Sequence, residues 1–325
     1  VFCWEHSPSW WPGKEPSRKG PFARPIAVDA GHRYQDVVAQ SVAAPFQFCG
    51  ITLTNQMRCW ALDYGEDALI VQPALEQATP VPFAALAAGD YGNSQISSLC
   101  ALAVDGTAWC RGKNNFGELG DGTRISRDAF RPVLGDVKFH SLVAEGIGYC
   151  ALDNDDHAWC WGGDYGEPVN APMRMGGDIR YTSLGFSFGS SCGVEGMTTL
   201  LYCWGHTGME GIEQGDPTPR IEPRLIPGGA ALLDIVGGSG SDLGVFRYAG
   251  GEIGFAGDMI HDAGYHRFQR RPSTAPPYPG ENWRPLPRFS RLINKGGSTW
   301  CGTHQGGATL CAYRIAAPSG VPRPE

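Results

Sequence analysis

No apolar run in the 325 residues approaches the roughly eighteen needed to cross a bilayer, so no direct membrane insertion is expected. No stretch holds a helical period for a useful length, which removes helix bundles and alternating α/β architectures. A phosphate-cradling Gly-x-x-x-x-Gly-Lys-Ser/Thr is missing, and so is a dinucleotide fingerprint; no cofactor is expected. A basic excess is missing too. Lys and Arg total 26 against 33 acidic residues, a net charge of −7, which argues against nucleic acid as a direct partner. There is no Asn-x-Ser/Thr sequon, so no N-glycans are expected. Neither a start methionine nor a signal peptide is seen. The chain is therefore expected to begin after processing or within a longer protein.

What is abundant is glycine (46), proline (25) and cysteine (11). Glycine and proline at this level suit many turns and few helices. The cysteines are patterned. Cys49 and Cys59, Cys100 and Cys110, Cys150 and Cys160, and Cys301 and Cys311 each stand ten positions apart, and Cys192 and Cys203 eleven. The first members recur at steps of 51, 50 and 42, followed by a gap of 109. LGVFRYAGGEIGFAGD (243–258) fills that gap, with Gly244 and Gly254 aligned on the two cysteine positions. Both members are lost together, as pairing within one repeat requires.

The spacing has a mechanical reading. If Cys i faces Cys i+10 across an antiparallel hairpin, a three-residue loop remains. Such loops are a type I turn followed by a left-handed residue. The third loop residue is then Asn55, Gly106, Asp156, Gly250 or Gly307, all of types that tolerate positive φ. The Cys192–Cys203 hairpin has one residue more and needs another turn. Facing cysteines are within disulfide reach, and each closed loop contributes roughly 3 kcal/mol on the chain-entropy model. Ten paired cysteines point to an oxidising compartment. Small buried thiols in a cytosolic protein are the alternative; zinc fits less well, since the spacing is wrong and no histidine recurs with it.

An apolar run ending in small residues precedes each first cysteine. Trp60, Trp161 or Trp204 follows three of the second ones. Three strands, a loop and a short Pro- and Val-rich strand make about 50 residues, the size of a four-stranded propeller blade. The expected fold is all-β, a seven-bladed β-propeller: six complete blades plus a half blade at the N-terminus. VFCWE reads as the third strand of that half blade and ARPIAV (23–28) as its fourth. Cys3 is then unpaired, or paired outside this segment, or a free reactive thiol. One propeller is expected over 1–315, with 316–325 a Pro-rich tail or a linker to a further domain.

GKNNFGELGDGT (112–123) resembles the signature of regulator-of-chromosome-condensation repeats, through Gly112, Asn114, Gly117, Leu119, Gly120 and Gly122. CWGGDYGE (160–167) and CWGHTGMEG (203–211) keep remnants. The resemblance implies a seven-bladed propeller. The cysteine-bearing hairpins are similar to two secreted kinds, the ectodomains of Crinkly-type plant receptor kinases and the bacterial propellers that include a β-lactamase inhibitor protein.

Chemistry-bearing segments are few. GGSGSD (237–242) lacks the last glycine of a nucleophile elbow. His261 and His266 have the wrong spacing for a zinc protease. Asp153, Asn154, Asp155 and Asp156 fall on a hairpin turn, which accounts for them better than calcium does. No catalytic or metal-binding residue is assigned. The candidate partner-binding loop is HRFQRRPSTAPPYPGENWRPLPR (266–288), extended by its prolines. It carries Arg267, Arg270, Arg271, Arg284 and Arg288 with Tyr278 and Trp283, aromatics of the type that anchor interfaces. Trp10 and Trp11 in SPSWWPGKEP (7–16) are the second candidate; a solvated connection and packing onto the half blade are the plainer readings. The expected function is a non-enzymatic extracellular or cell-surface interaction module. It would be a segment of a larger assembly that binds a protein or neighbouring domains of its own chain. The alternatives are a secreted enzyme inhibitor and a guanine-nucleotide exchange-factor-like propeller.

Overall fold

The computed structural model describes residues 2–3, 26–27, 29, 31–39, 46–64, 69–90, 97–145, 148–163, 169–175, 177–187, 190–205, 220–225, 231–236, 244–248, 253–256, 269–271, 289–294, 300–304 and 309–312. Among them all regular structure is β-strand, and no helix is long and apolar enough to cross a membrane. The strands form seven antiparallel sheets, in sequence order. β1 (Phe2–Cys3) pairs with β2 (Ile26–Ala27). The first full blade is β3 (Tyr34–Ala39), β4 (Phe46–Thr52), β5 (Met57–Tyr64) and β6 (Leu69–Gln77). The second is β7 (Phe83–Asp90), β8 (Ser97–Ala103), β9 (Ala108–Gly112) and β10 (Arg127–Pro132). The third is β11 (Phe139–Glu145), β12 (Gly148–Asp153), β13 (Ala158–Gly162) and β14 (Met173–Met175). The fourth is β15 (Tyr181–Ser187), β16 (Ser190–Glu195), β17 (Leu201–Gly205) and β18 (Arg220–Leu225). The fifth is β19 (Leu232–Val236), β20 (Gly244–Tyr248), β21 (Ile253–Ala256) and β22 (Gln269–Arg271). The last sheet holds β23 (Phe289–Asn294), β24 (Trp300–His304) and β25 (Thr309–Ala312). Of the six complete blades expected, five thus have four strands, and the sixth has three described ones; 313–325 lie outside the described residues.

The hairpins follow from the cysteine spacing. Cys49, Cys100, Cys150 and Cys192 stand directly opposite Cys59, Cys110, Cys160 and Cys203, and all four pairs are disulfides. Cys301 stands opposite Cys311 in the same register. The loops close as three-residue turns: Asn55, Gly106 and Asp156 donate back to Thr52, Ala103 and Asp153. Their φ values are 60°, 85° and 67°, the left-handed region the third loop position requires. The longer hairpin makes a four-residue loop whose last residue, Thr199, takes φ 57°.

The fifth blade corrects one alignment. Its ladder sets Gly244 opposite Ala256 and Phe246 opposite Gly254, so the two glycines do not face one another. Val245 and Phe255 are opposite each other, and Val245 also faces Val236, as Cys49 faces Val38. A valine and a phenylalanine therefore hold the cysteine positions. The expected left-handed Gly250 lies outside the described residues, as does Gly307.

A second repeat is structural. In all six inner strands the register slips one residue after the first: between Tyr34 and Asp36, Phe83 and Ala85, Phe139 and Ser141, Tyr181 and Ser183, Leu232 and Asp234, Phe289 and Arg291. A bulge at one place in every blade bends each inner strand alike. Prolines Pro73, Pro132 and Pro223 sit in the outermost strands β6, β10 and β18, where a missing N–H is harmless and blunts the edge.

The core lies between blades. Cys100 and Cys110 pack with Phe139, Tyr149 and Trp161 of the next blade; Cys150 and Cys160 pack with Tyr181, Leu184 and Trp204; Cys192 and Cys203 pack with Leu232, Ile235 and Tyr248. Each disulfide is thus part of the wall on which its successor rests.

Candidate interaction surfaces

Strand alternation gives the propeller two faces. One carries the cysteine-hairpin turns together with the links from each fourth strand to the next inner strand. The other carries the long connections from third to fourth strands, including 112–127.

On the turn face the left-handed residue of one blade accepts a hydrogen bond from the next. Phe139, Tyr181 and Leu232 donate their backbone N–H groups to the carbonyls of Gly106, Asp156 and Thr199 at 2.8, 2.8 and 3.2 Å. Side-chain contacts reinforce these junctions: an ion pair of Lys138 with Asp105 at 2.8 Å, and a hydrogen bond between His140 Nε2 and Asp156 Oδ1 at 3.0 Å, both exposed. Hydrogen bonds from Lys138, then Thr107, hold the Asp105 carboxyl well below the usual range. The acidic run at the third turn is also accounted for. Asp153 accepts the N–H groups of Asp155 and His157 and the Trp159 indole N–H. Among the described residues no group of three or more His, Cys, Asp or Glu is gathered as a metal would need. Apolar side chains stand out on the same turns: Leu53, Val104 and, 93 % exposed, Met197. Glu195 fixes Met197 in place by accepting from the backbone of Met197 and Thr198 and from the Thr198 hydroxyl.

On the opposite face, the 112–127 loop shows why its residue types are needed. Asn114 is fully buried; its Oδ1 accepts the Leu119 N–H at 2.9 Å, and its Nδ2 donates to the carbonyls of Thr123 at 3.0 Å and Ile125 at 3.2 Å. Gly120 has φ 60°, and a Cβ there would stand 2.7 Å from Cδ1 of Trp161. The Trp161 indole N–H donates to the Glu118 carbonyl at 3.2 Å. The loop is therefore a socket for the tryptophan of the following blade. Glu118 is buried with it. One carboxyl oxygen accepts the Phe116 N–H at 2.7 Å, the other has no partner, and desolvation raises its pKa. Tyr149 adds a second tie across the junction: its hydroxyl accepts the Gly89 N–H at 3.0 Å and lies 2.8 Å from Ser98 Oγ.

A further cluster was not visible in the sequence. Asp29 sits 2.6 Å from the Tyr34 hydroxyl, 2.9 Å from His32 Nδ1 and 2.9 Å from Arg58 Nε. Burial pushes the Asp29 carboxyl up, but the bonds from Tyr34, His32 and Arg58 outweigh it and leave it well below the usual range. Arg58 also donates to the Ala74 carbonyl at 2.7 Å, so the cluster fastens the entry segment to β5 and β6.

Of the sequence candidates, Trp10, Trp11, Arg267, Tyr278, Trp283, Arg284 and Arg288 lie outside the described residues. Arg270 and Arg271 belong to β22, opposite Gly254 and Ile253, and not to a free connection. The run QRR (269–271), inside the candidate segment 266–288, is a strand because it completes the fifth blade.

No protein-family model and no curated protein matches the chain. Solved structures do. Human WBSCR16 superposes with a TM-score of 0.67 at 13 % identity, over 93 % of this chain and 84 % of that one. Yeast RCC1 (Prp20), bound to Kap60, gives 0.51 at 14 % identity, over 69 % of this chain and 57 % of its own. Prp20p from Saccharomyces cerevisiae, in a structure concerned with its binding to Gsp1p and histones, gives 0.52 at 15 %, over 69 % and 59 %. The fold is that of an RCC1-like propeller. Within this propeller, Asn114 orders the loop and Gly120 makes room for Trp161, so both serve the blade-to-blade socket.

Proposed function

We propose that this propeller is a non-enzymatic protein-interaction module of an extracellular or cell-surface assembly. The observation that carries the reading is the set of four disulfides, one in each of four consecutive blades. Cystine in that number persists where thiols are not kept reduced. Consecutive blades joined by backbone hydrogen bonds, with a buried socket between the second and third, present loops rigidly, as recognition requires. Propellers of the same fold are protein binders: Prp20 is seen with Kap60, and Prp20p binds Gsp1p and histones. The partner proposed here is likewise a protein, or a neighbouring domain of the same chain.

The binding segment proposed is 266–288, with Trp10 and Trp11 as a second contact. Arg267, Arg284 and Arg288 bring cations to a chain of net charge −7, and Tyr278 and Trp283 bring ring surface. That combination selects an acidic surface with an apolar centre. The test is cross-linking mass spectrometry on material from the native source, followed by Arg267→Glu with Arg284→Glu. Cross-links from 266–288 to one protein, and at least a roughly tenfold loss of its binding in the double variant, are expected. Cross-links confined to other surfaces would move the site.

A second reading has its own observation. The fold shared with Prp20 favours an intracellular exchange-factor-like propeller. Free thiols at Cys49, Cys100, Cys150 and Cys192 in protein from the native source would decide for it.

A further inference from the structure

The 112–127 loop sorts its charges. From 111 to 131 five cations stand against three acids, in a chain of net charge −7. The acids of the loop itself are turned to structural use. Glu118 is buried in the socket, and Asp121 accepts the Thr123 N–H at 2.9 Å, the Thr123 hydroxyl at 2.6 Å and Arg127 Nε at 3.5 Å. The cations Lys113 and Arg124 are exposed instead, and Ile125 beside them is 58 % exposed. The ladder brings them together. Gly112 stands opposite Arg127, and just beyond it the Asn114 N–H donates to Ser126 Oγ at 3.2 Å, so Lys113 lies alongside the 124–126 run. Arg124 extends the patch toward the third blade, where its Nε donates to Asn170 Oδ1 at 3.4 Å. The surface is fixed from within. Asn114 Nδ2 holds the Thr123 and Ile125 carbonyls, and the Ile125 N–H donates to Thr123 Oγ1 at 3.2 Å.

We propose that Lys113, Arg124 and Ile125 form a docking surface for an acidic protein segment that carries an aliphatic side chain among its carboxylates. Charge complementarity selects the partner. The Arg124 guanidinium presents a planar fork that matches a carboxylate, and Lys113 adds a point charge at the other side of the patch. Ile125 supplies the apolar contact. Because the buried Asn114 already orders the backbone beneath it, docking does not have to order the loop as well. A sulfated or phosphate polyanion would use the cations alone and would meet the field of a chain at −7; the exposed isoleucine favours a protein segment. The proposal rests on the reading of this propeller as a protein binder, but not on the segment 266–288.

The test uses the 325-residue chain and fluorescence anisotropy. The probes are a labelled peptide of glutamates with one central leucine, the same peptide with serine in its place, and a labelled sulfated hexasaccharide. The leucine peptide is expected to bind the wild type most tightly. Lys113→Glu with Arg124→Glu should weaken it at least about tenfold, and added salt should weaken it in the wild type. Ile125→Ser should cost the leucine peptide about fivefold and leave the serine peptide unchanged. All three residues are exposed, so the variants keep the fold, and a urea midpoint matching the wild type confirms it for each. Arg267→Glu with Arg284→Glu should leave this binding intact, so the surface and the segment 266–288 fail separately. Equal affinity in the wild type and the Lys113/Arg124 variant, or no binding of the leucine peptide, would overturn the proposal. So would tighter binding of the hexasaccharide that ignores Ile125, which would mark a polyanion site, or an equal loss in the Arg267/Arg284 variant, which would mark attraction without a defined surface.

Discussion

The backbone N–H of Tyr181 donates to the carbonyl of Asp156 at 2.8 Å, across the junction between the third and fourth blades. Asp156 has φ 67°, so one left-handed residue both closes its own hairpin and receives the next blade. Gly106 and Thr199 do the same for Phe139 and Leu232. The conformation is thus required twice over.

Thr199 is the exception in type. A β-branched residue is poorly suited to φ 57°, at a cost on the order of 1 kcal/mol. Thr199→Asn is expected to raise the urea midpoint, corresponding to about 1 kcal/mol. Gly106→Val should do the reverse, losing 2 kcal/mol or more, on the order of other strained-backbone substitutions. Its Cβ would stand 3.1 Å from the Phe139 carbonyl oxygen at φ 85°. Equal midpoints for all three proteins would refute the junction's dependence on this conformation.

Tyr181 lies on Gly193: a Cβ at 193 would be 2.4 Å from ring atom Cδ1. Tyr34 lies on Gly50 in the same manner, at 2.5 Å. Gly193→Ala is expected to destabilise by about 1–3 kcal/mol through overpacking. The Tyr181 hydroxyl is buried without a partner, so Tyr181→Phe should be neutral or stabilising by about 1 kcal/mol. Chemical denaturation of the two variants checks both signs.

Glu118 gives a pH dependence of known direction. Burial raises its pKa, so the folded protein holds this proton more tightly than the unfolded chain does. The stabilisation is complete below the unfolded carboxyl range and is lost as pH rises through the folded value. Glu118→Gln keeps an acceptor for the Phe116 N–H and removes the titration. Stability compared across mildly acidic to neutral pH should therefore fall more in the wild type than in the variant. Parallel curves would show that Glu118 is solvated.

The fifth blade tests the register. Val245→Cys with Phe255→Cys is expected to form a new disulfide, since the two backbones are directly opposite, and to stabilise by up to roughly 3 kcal/mol. Gly244→Cys with Gly254→Cys should stay reduced, because Gly244 faces Ala256. Thiol titration and non-reducing peptide maps separate the outcomes.

That fifth blade also marks where the sequence stops being legible. Cysteine pairs ten apart identify hairpins because they fix which residues face each other, and Asn55, Gly106 and Asp156 follow from the turn that spacing demands. Where the cysteines are gone, aligning Gly244 and Gly254 on ten-residue spacing alone slips by one. A glycine carries no side-chain pattern to mark its face. The bulge follows an aromatic residue in five of the six inner strands, with Leu232 in the sixth, but a single aromatic does not by itself announce a bulge, and the junction bonds are backbone to backbone. Asn114 and Gly120 were readable as a motif, but their purpose was not, because Trp161 lies forty-one residues beyond Gly120. Asp29 and Arg58 meet across twenty-nine residues with no periodic cue.

The most direct measurement is a disulfide map of the protein by non-reducing digestion and mass spectrometry, on material from its native source. Cys49–Cys59, Cys100–Cys110, Cys150–Cys160 and Cys192–Cys203 are expected, with Cys301–Cys311 as the fifth by its register. Pairs that join different blades would contradict stapling within each blade, and free thiols throughout would contradict both the stapling and the proposed extracellular setting.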